Sequence, residues 1–142
     1  MQPGPVRVLI VEDHQIFADA LRLLLDRTEG IEVVGIARDG GEAIDLALMA
    51  DAQVVLMDIG LPRMNGLEAT RRLLAIKPGA RVIALTGQTE DEAGPAAAAA
   101  GAVDFLVKGG IHEHVRDAIF RAMSAPPSDP GRREPPAGLG AL

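Results

Sequence analysis

The chain has 142 residues, is 48% hydrophobic, 24% charged and 2% aromatic, and carries a formal net charge of −6, which fits one soluble domain. The acidic balance argues against binding to nucleic-acid phosphates, and three Phe with no Trp or Tyr leave little for base stacking. The absence of cysteine excludes disulfides, thiolate nucleophiles and Cys-ligated zinc and suits the cytoplasm, and no apolar run approaches the ~20 residues of a membrane span.

The opening Met-Gln-Pro-Gly-Pro does not read as a signal peptide. After it come five short aliphatic runs: Val6–Val11, Ile31–Ala37, Val54–Met57, Val82–Leu85 and Phe105–Val107. Several are apolar at consecutive positions, the texture of parallel strands covered on both faces. Between them lie segments with helical spacing. Phe17, Ala20, Leu21 and Leu24 mark the first, and Leu21 with Leu23–Leu25 reads as core. Ile44, Ala47 and Leu48 mark the second, and Leu67, Thr70 and Leu74 the third. The fourth holds Gly94-Pro95 and then five alanines, so it should start near Pro95 and be short. Val115, Ala118, Ile119 and Ala122 mark the fifth.

The order βαβαβαβαβα predicts an α/β fold, an open, doubly wound parallel sheet in strand order 2-1-3-4-5. The composition changes at Ala125: eight of the last 18 residues are Pro or Gly. Residues 1–124 therefore read as one domain, and 125–142 as a disordered tail or linker stub.

In such a sheet the site lies at the carboxyl ends of the strands. Glu12-Asp13 follows the first strand, Asp58 the third, Thr86 the fourth and Lys108 the fifth. The three carboxylates total −3, and Lys108 brings the group to −2. Two carboxylates ~5 Å apart repel by roughly 3 kcal/mol at an effective dielectric of 20, so either a proton or a cation belongs there. A hard divalent cation with oxygen ligands balances the sum, and Mg²⁺ fits. Twelve of the fourteen basic residues are Arg, so a Lys at this strand end suggests a need for a compact point charge. His14 beside the acidic pair reads as a helix-start residue or a metal ligand. His112 and His114, two apart, point to different helix faces and read as solvated.

VLIVEDH, VVLMDIGLPRMNGLEATRRL, VIALTG and AGAVDFLVKGG resemble the receiver domain of bacterial two-component response regulators, a CheY-like, flavodoxin-like (βα)5 fold. The resemblance runs from Val6 to Met123. Its Glu-Asp-His and Met-Asp-Ile phrases are closest to the NarL/LuxR-type branch. It implies that Asp58 is the phosphoacceptor, charged by a sensor histidine kinase or phosphotransfer protein. It implies Asp13 as a Mg²⁺ ligand, Glu12 as a ligand through water and the Gly60 carbonyl as a further ligand, with Mn²⁺ as an alternative ion. Lys108 would pair with the phosphoryl oxygens. Thr86 and Phe105 would form the switch. The product is a signal, so the chain is expected to be a switch with self-catalysed phosphorylation rather than a metabolic enzyme. Receivers often pair through helices 4 and 5, so a homodimer is an open expectation. No nucleic acid or membrane partner is expected of this chain.

Three features depart from the family pattern. Gly109-Gly110 replaces the usual Pro after the lysine. Gly60 and Gln88, two residues after Asp58 and Thr86, leave the lifetime of the phosphate open. The alanine-lined fourth helix should be short or mobile, with a remodelled partner face. Competing readings are a haloacid-dehalogenase-type phosphatase, a flavodoxin-like electron carrier and a receiver-like interaction module that ignores phosphate. The acidic pair precedes the nucleophile here, against the phosphatase order. Glu12-Asp13 would repel a flavin phosphate, and the full set of five polar residues argues against the phosphate-independent module.

Overall fold

The aliphatic runs become strands β1 (Val6–Val11), β2 (Ile31–Ala37), β3 (Val54–Asp58), β4 (Arg81–Thr86) and β5 (Asp104–Val107) in a computed structural model of the chain. It describes residues 4–87 and 93–125. All four strand pairs are parallel, in the order β2-β1-β3-β4-β5. The predicted order holds. The helices are α1 (Gln15–Asp26), α2 (Gly40–Met49), α3 (Gly66–Ile76), α4 (Ala93–Ala100) and α5 (Val115–Ser124), with a 3-10 turn over Ile111–Glu113.

Successive strand residues enter opposite cores, which is why several of the runs are apolar at consecutive positions. Val8, Ile10, Val54, Leu56, Ile83 and Leu85 face one core with α1 and α5. Leu9, Val11, Val55, Met57 and Val82 face the other with α2 and α3. β1 and β3 pair on the sheet's axis, Val11 opposite Met57. Glu12 and Asp58 therefore leave the sheet side by side.

Helix starts are set by side-chain caps. Asp39 accepts from Glu42 N–H at 2.9 Å, and Asn65 accepts from Glu68 N–H at 2.9 Å. His14 holds the equivalent place before α1 without a side-chain cap bond. Pro95 lies in the first turn of α4, where its missing N–H costs nothing, as its position in the sequence predicts.

Several helix faces differ in part from the sequence reading. On α1, Leu21 is buried and Phe17 and Leu24 pack against the core as read, with Ala18 and Leu25 buried beside them, while Ala20 is exposed and Leu23 is 54% exposed. On α2 the buried residues are Ala43 and Ala47, and Leu48 points outward. In both helices apolar residues crowd adjacent positions, so the sequence allows several stripes. The helix closest to the sheet buries its small residues, and alanine fits that contact. Gln88 and the entry to the fourth helix lie outside the described residues, as does the expected tail apart from Ala125, which ends α5 in extended backbone.

Candidate functional site at the strand ends

The carboxyl ends of β1, β3 and β5 bring Glu12, Asp58 and Lys108 into contact. Lys108 Nζ lies 2.7 Å from Glu12 Oε1 and 3.1 Å from Asp58 Oδ2. The other Asp58 oxygen, Oδ1, accepts the Gly60 backbone N–H at 2.9 Å. The other Glu12 oxygen, Oε2, accepts the His14 backbone N–H at 3.1 Å and lies 3.2 Å from His14 Nδ1. Glu12 is wholly buried and Asp58 is 4% exposed.

Burial pushes the Asp58 carboxyl above its ordinary range. The Gly60 N–H opposes that shift, the Glu12 charge adds to it and the Lys108 ammonium works against it. Burial also pulls on Lys108, but the hydrogen bond to Glu12 and the charge of Asp58 outweigh it. The ammonium is held above its usual value. Lys108 is thus a fixed positive charge shared between two acids.

Backbone geometry holds Asp58 in place. Ile59 N–H donates to the Leu85 carbonyl at 3.0 Å, extending the β3 edge onto β4. Gly66 N–H donates to the Ile59 carbonyl at 3.1 Å, so α3 begins against the chain that carries Asp58. A Cβ at position 66 would overlap the Asp58 carbonyl oxygen and Ile59 Cα. Only glycine permits that approach. Asp58 and Gly66 are therefore linked by packing, a reason the sequence alone does not reveal.

Thr86 closes β4 and is buried, and its carbonyl accepts Lys108 N–H at 2.7 Å. Phe105 is 38% exposed, and its ring lies over Gly94, where an added Cβ would come within 2.7 Å of it. β5 is the edge strand, and an alanine-rich α4 is too slight to cover a phenyl ring. Phe17, one turn into α1, also joins the site: its ring centroid is 5.2 Å from Lys108 Nζ, within cation–π range. The sequence shows Phe17 only as an apolar helix position. His112, within the 3-10 turn, and His114, just after it, are exposed and take no part in the acidic group.

Among the described residues, ligand atoms of Glu12, Asp13, His14 and Asp58 all lie within 4.8 Å of one another. Asp13 Oδ1 is a buried oxygen with no hydrogen-bond partner there. An orphaned carboxylate oxygen beside two other acids is costly unless a cation meets it. The residues present fit a hard divalent ion with oxygen ligands. No described helix is long and apolar enough to cross a membrane.

Residues 8–120 match the family model described as "Response regulator receiver domain". The response regulator GacA of Pseudomonas protegens is 39% identical over 112 residues, 78% of this chain and 53% of that protein. The response regulator UvrY of Escherichia coli is 36% identical over 114 residues, 80% of this chain and 52% of that protein. The chain thus spans about half the length of these curated relatives. Among solved structures, the response regulator domain of Thermotoga maritima CheB superposes with a TM-score of 0.79 at 32% identity, covering 87% of this chain and 99% of that one. The receiver domain of NarL from Mycobacterium tuberculosis gives 0.82 at 26% identity, covering 87% and 100%. The chain belongs to the response regulator receiver domain family, as a CheY-like receiver of the NarL/LuxR branch.

Proposed function

We propose that Asp58 accepts a phosphoryl group from a histidine kinase or phosphotransfer protein in the cytoplasm, and that the modified domain then engages a protein partner through an altered face. The observation that carries this reading is the setting of the Asp58 carboxylate. It is buried, held by the Gly60 N–H on one oxygen and by Lys108 on the other, and flanked by Glu12 and Asp13.

The chemistry is an in-line displacement at phosphorus. An Asp58 oxygen forms the new P–O bond while the donor's bond to phosphorus breaks and its electron pair leaves with the donor. Such transfers depend on positioning and on charge placed around the equatorial oxygens. Lys108 supplies one fixed charge. A bound Mg²⁺ would supply a second, and Asp13, Asp58 and the Gly60 carbonyl would hold it, with Glu12 acting through water. Mn²⁺ suits the same oxygens. The Gly60 N–H keeps the carboxylate from rotating away. Thr86, at the end of the neighbouring strand, would turn its hydroxyl toward an added phosphoryl group. Phosphorylation exchanges one negative charge for nearly two, and Thr86 and Phe105 turn that change into a shift of the α4–β5 face.

The domain's catalysis serves its own modification, which sets it apart from an enzyme that turns over a metabolite. Intact mass after incubation with acetyl phosphate tests the reading. One phosphate should add to the wild type with Mg²⁺, none after chelation and none to Asp58→Asn. If no adduct forms and beryllofluoride with Mg²⁺ also fails to bind, the phosphoacceptor reading fails. The domain would then be a phosphate-independent interaction module.

A further inference from the structure

The two oxygens of Glu12 are divided between two bases. Lys108 takes Oε1 at 2.7 Å, and His14 faces Oε2 at 3.2 Å through Nδ1. His14 Nδ1 is also 3.7 Å from Asp13 Oδ1, the buried oxygen without a hydrogen bond. The imidazole therefore stands at the mouth of the acidic pocket, on the side opposite the lysine. Its side chain is 75% exposed, so the ring can turn, while its backbone N–H ties the residue to Glu12 at 3.1 Å.

We propose that His14 is a nitrogen ligand of this pocket, giving it a second preference, for borderline transition ions such as Zn²⁺ and Co²⁺, beside Mg²⁺. The inference rests on the acidic pocket being a cation site, and it adds a residue that a Mg²⁺ site does not use. Mg²⁺ is hard and takes oxygen, whereas imidazole favours zinc and its neighbours in the first transition row. Zinc binds nitrogen and carboxylate oxygen at roughly 2.0–2.2 Å, so its ligand atoms sit roughly 3–4 Å apart. The ligand atoms of Glu12, Asp13, His14 and Asp58 already lie within 4.8 Å of one another. The imidazole is 75% exposed, so the adjustment the set needs falls on the ring rather than on the buried Glu12 and Asp58. The charge count agrees: three carboxylates and one ammonium leave −2, which a dication cancels while a neutral imidazole adds nothing. Such an ion would compete with Mg²⁺ for Asp13 and Asp58. It would make phosphorylation sensitive to the balance of the two metals.

Calorimetric titration of the untagged chain with Co²⁺ and, separately, with Mg²⁺ tests this, with the visible Co²⁺ spectrum as a second readout. His14→Gln should weaken Co²⁺ by about tenfold or more while changing Mg²⁺ affinity far less, since losing even supporting groups around a metal costs ~10–100-fold. The Co²⁺ bands should shift in the same variant. A His112→Gln/His114→Gln protein should keep wild-type Co²⁺ binding. Equal losses for both ions in His14→Gln, no loss for Co²⁺, or loss in the double variant instead would each overturn the assignment of His14. A wild type that binds Mg²⁺ but not Co²⁺ would overturn it alone. A wild type that binds neither ion would overturn it together with the cation pocket.

Discussion

Asp58 carries a thermodynamic consequence of its burial. Its folded-state pKa is raised, chiefly by desolvation. A raised acid stabilises the fold fully below its unfolded pKa, and that contribution is lost as pH rises through the folded value. Chelated Asp58→Asn protein should therefore melt above the wild type at neutral pH, and the gap should close as the pH falls below the ordinary Asp value of 3.8. A gap independent of pH in calorimetric melts would contradict the burial argument. Lys108 is expected to act as a point charge. Lys108→Met should slow phosphorylation by acetyl phosphate by ~10²-fold or more, on the scale of a lost preorganised charge. Lys108→Arg should not restore the rate, because the planar fork cannot sit between Glu12 and Asp58 as a compact ammonium does. At this scale the site was legible in the sequence. Glu12, Asp13, Asp58, Thr86 and Lys108 each end an apolar run, and the parallel sheet collects such ends on one edge. His14 was legible beside the acidic pair, but its contact with Glu12 and the approach of Phe17 to Lys108 were not. Their approach depends on how α1 leaves β1, and no spacing rule encodes that.

Elements meet the site through two glycines with opposite tolerances. Gly66 starts α3 against backbone, since its Cβ would strike the Asp58 carbonyl and Ile59. Backbone cannot step aside as a side chain can. Gly66→Ala should cost about 2 kcal/mol or more, as overpacked sites do, and should lower the rate of Asp58 phosphorylation as well. Denaturant melts and the acetyl phosphate rate read the two effects. Gly94 faces the Phe105 ring instead, the far end of a flexible and partly exposed side chain. Gly94→Ala should leave stability within about 1 kcal/mol, because the helical gain of alanine offsets the displacement. The ring should move, visible as changed Phe105 ring shifts in NMR. Unchanged shifts would mean that α4 and the ring do not touch in solution. The sequence correctly marks α4 as a short, alanine-built element with Pro95 in its first turn. It does not show that Phe105 would lie over that helix, because an edge strand can turn its aromatic residue either to core or to a neighbouring helix. The helix faces of α1 and α2 were read in the main, and the exposed Ala20, Leu23 and Leu48 were missed for a related reason. Runs such as Leu23–Leu25 offer several apolar stripes, and the distance to the sheet selects among them.

For the whole molecule, the two cores on either side of one sheet make the strand edge a rigid platform. Leu56 is fully buried in the α1–α5 core and pairs across β1 and β4. Leu56→Ala should lose about 2–5 kcal/mol in denaturant unfolding, the range for truncation of a buried leucine. A divalent ion bound only by the folded state should raise the melting temperature with its concentration, and chelation should reverse the rise. The fold itself was legible because several strands are apolar at consecutive positions and the crossovers between them carry helical periods. The central claim for the domain is a covalent one: the proposed phosphorylation should fall on Asp58 and on no other acid of the pocket. Borohydride reduction after acetyl phosphate and Mg²⁺ treatment, followed by peptide mass spectrometry, tests that most directly. Conversion of Asp58 alone to homoserine is the predicted result. Label on Asp13 or Glu12, or Mg²⁺-independent label spread over several carboxylates, would contradict the account.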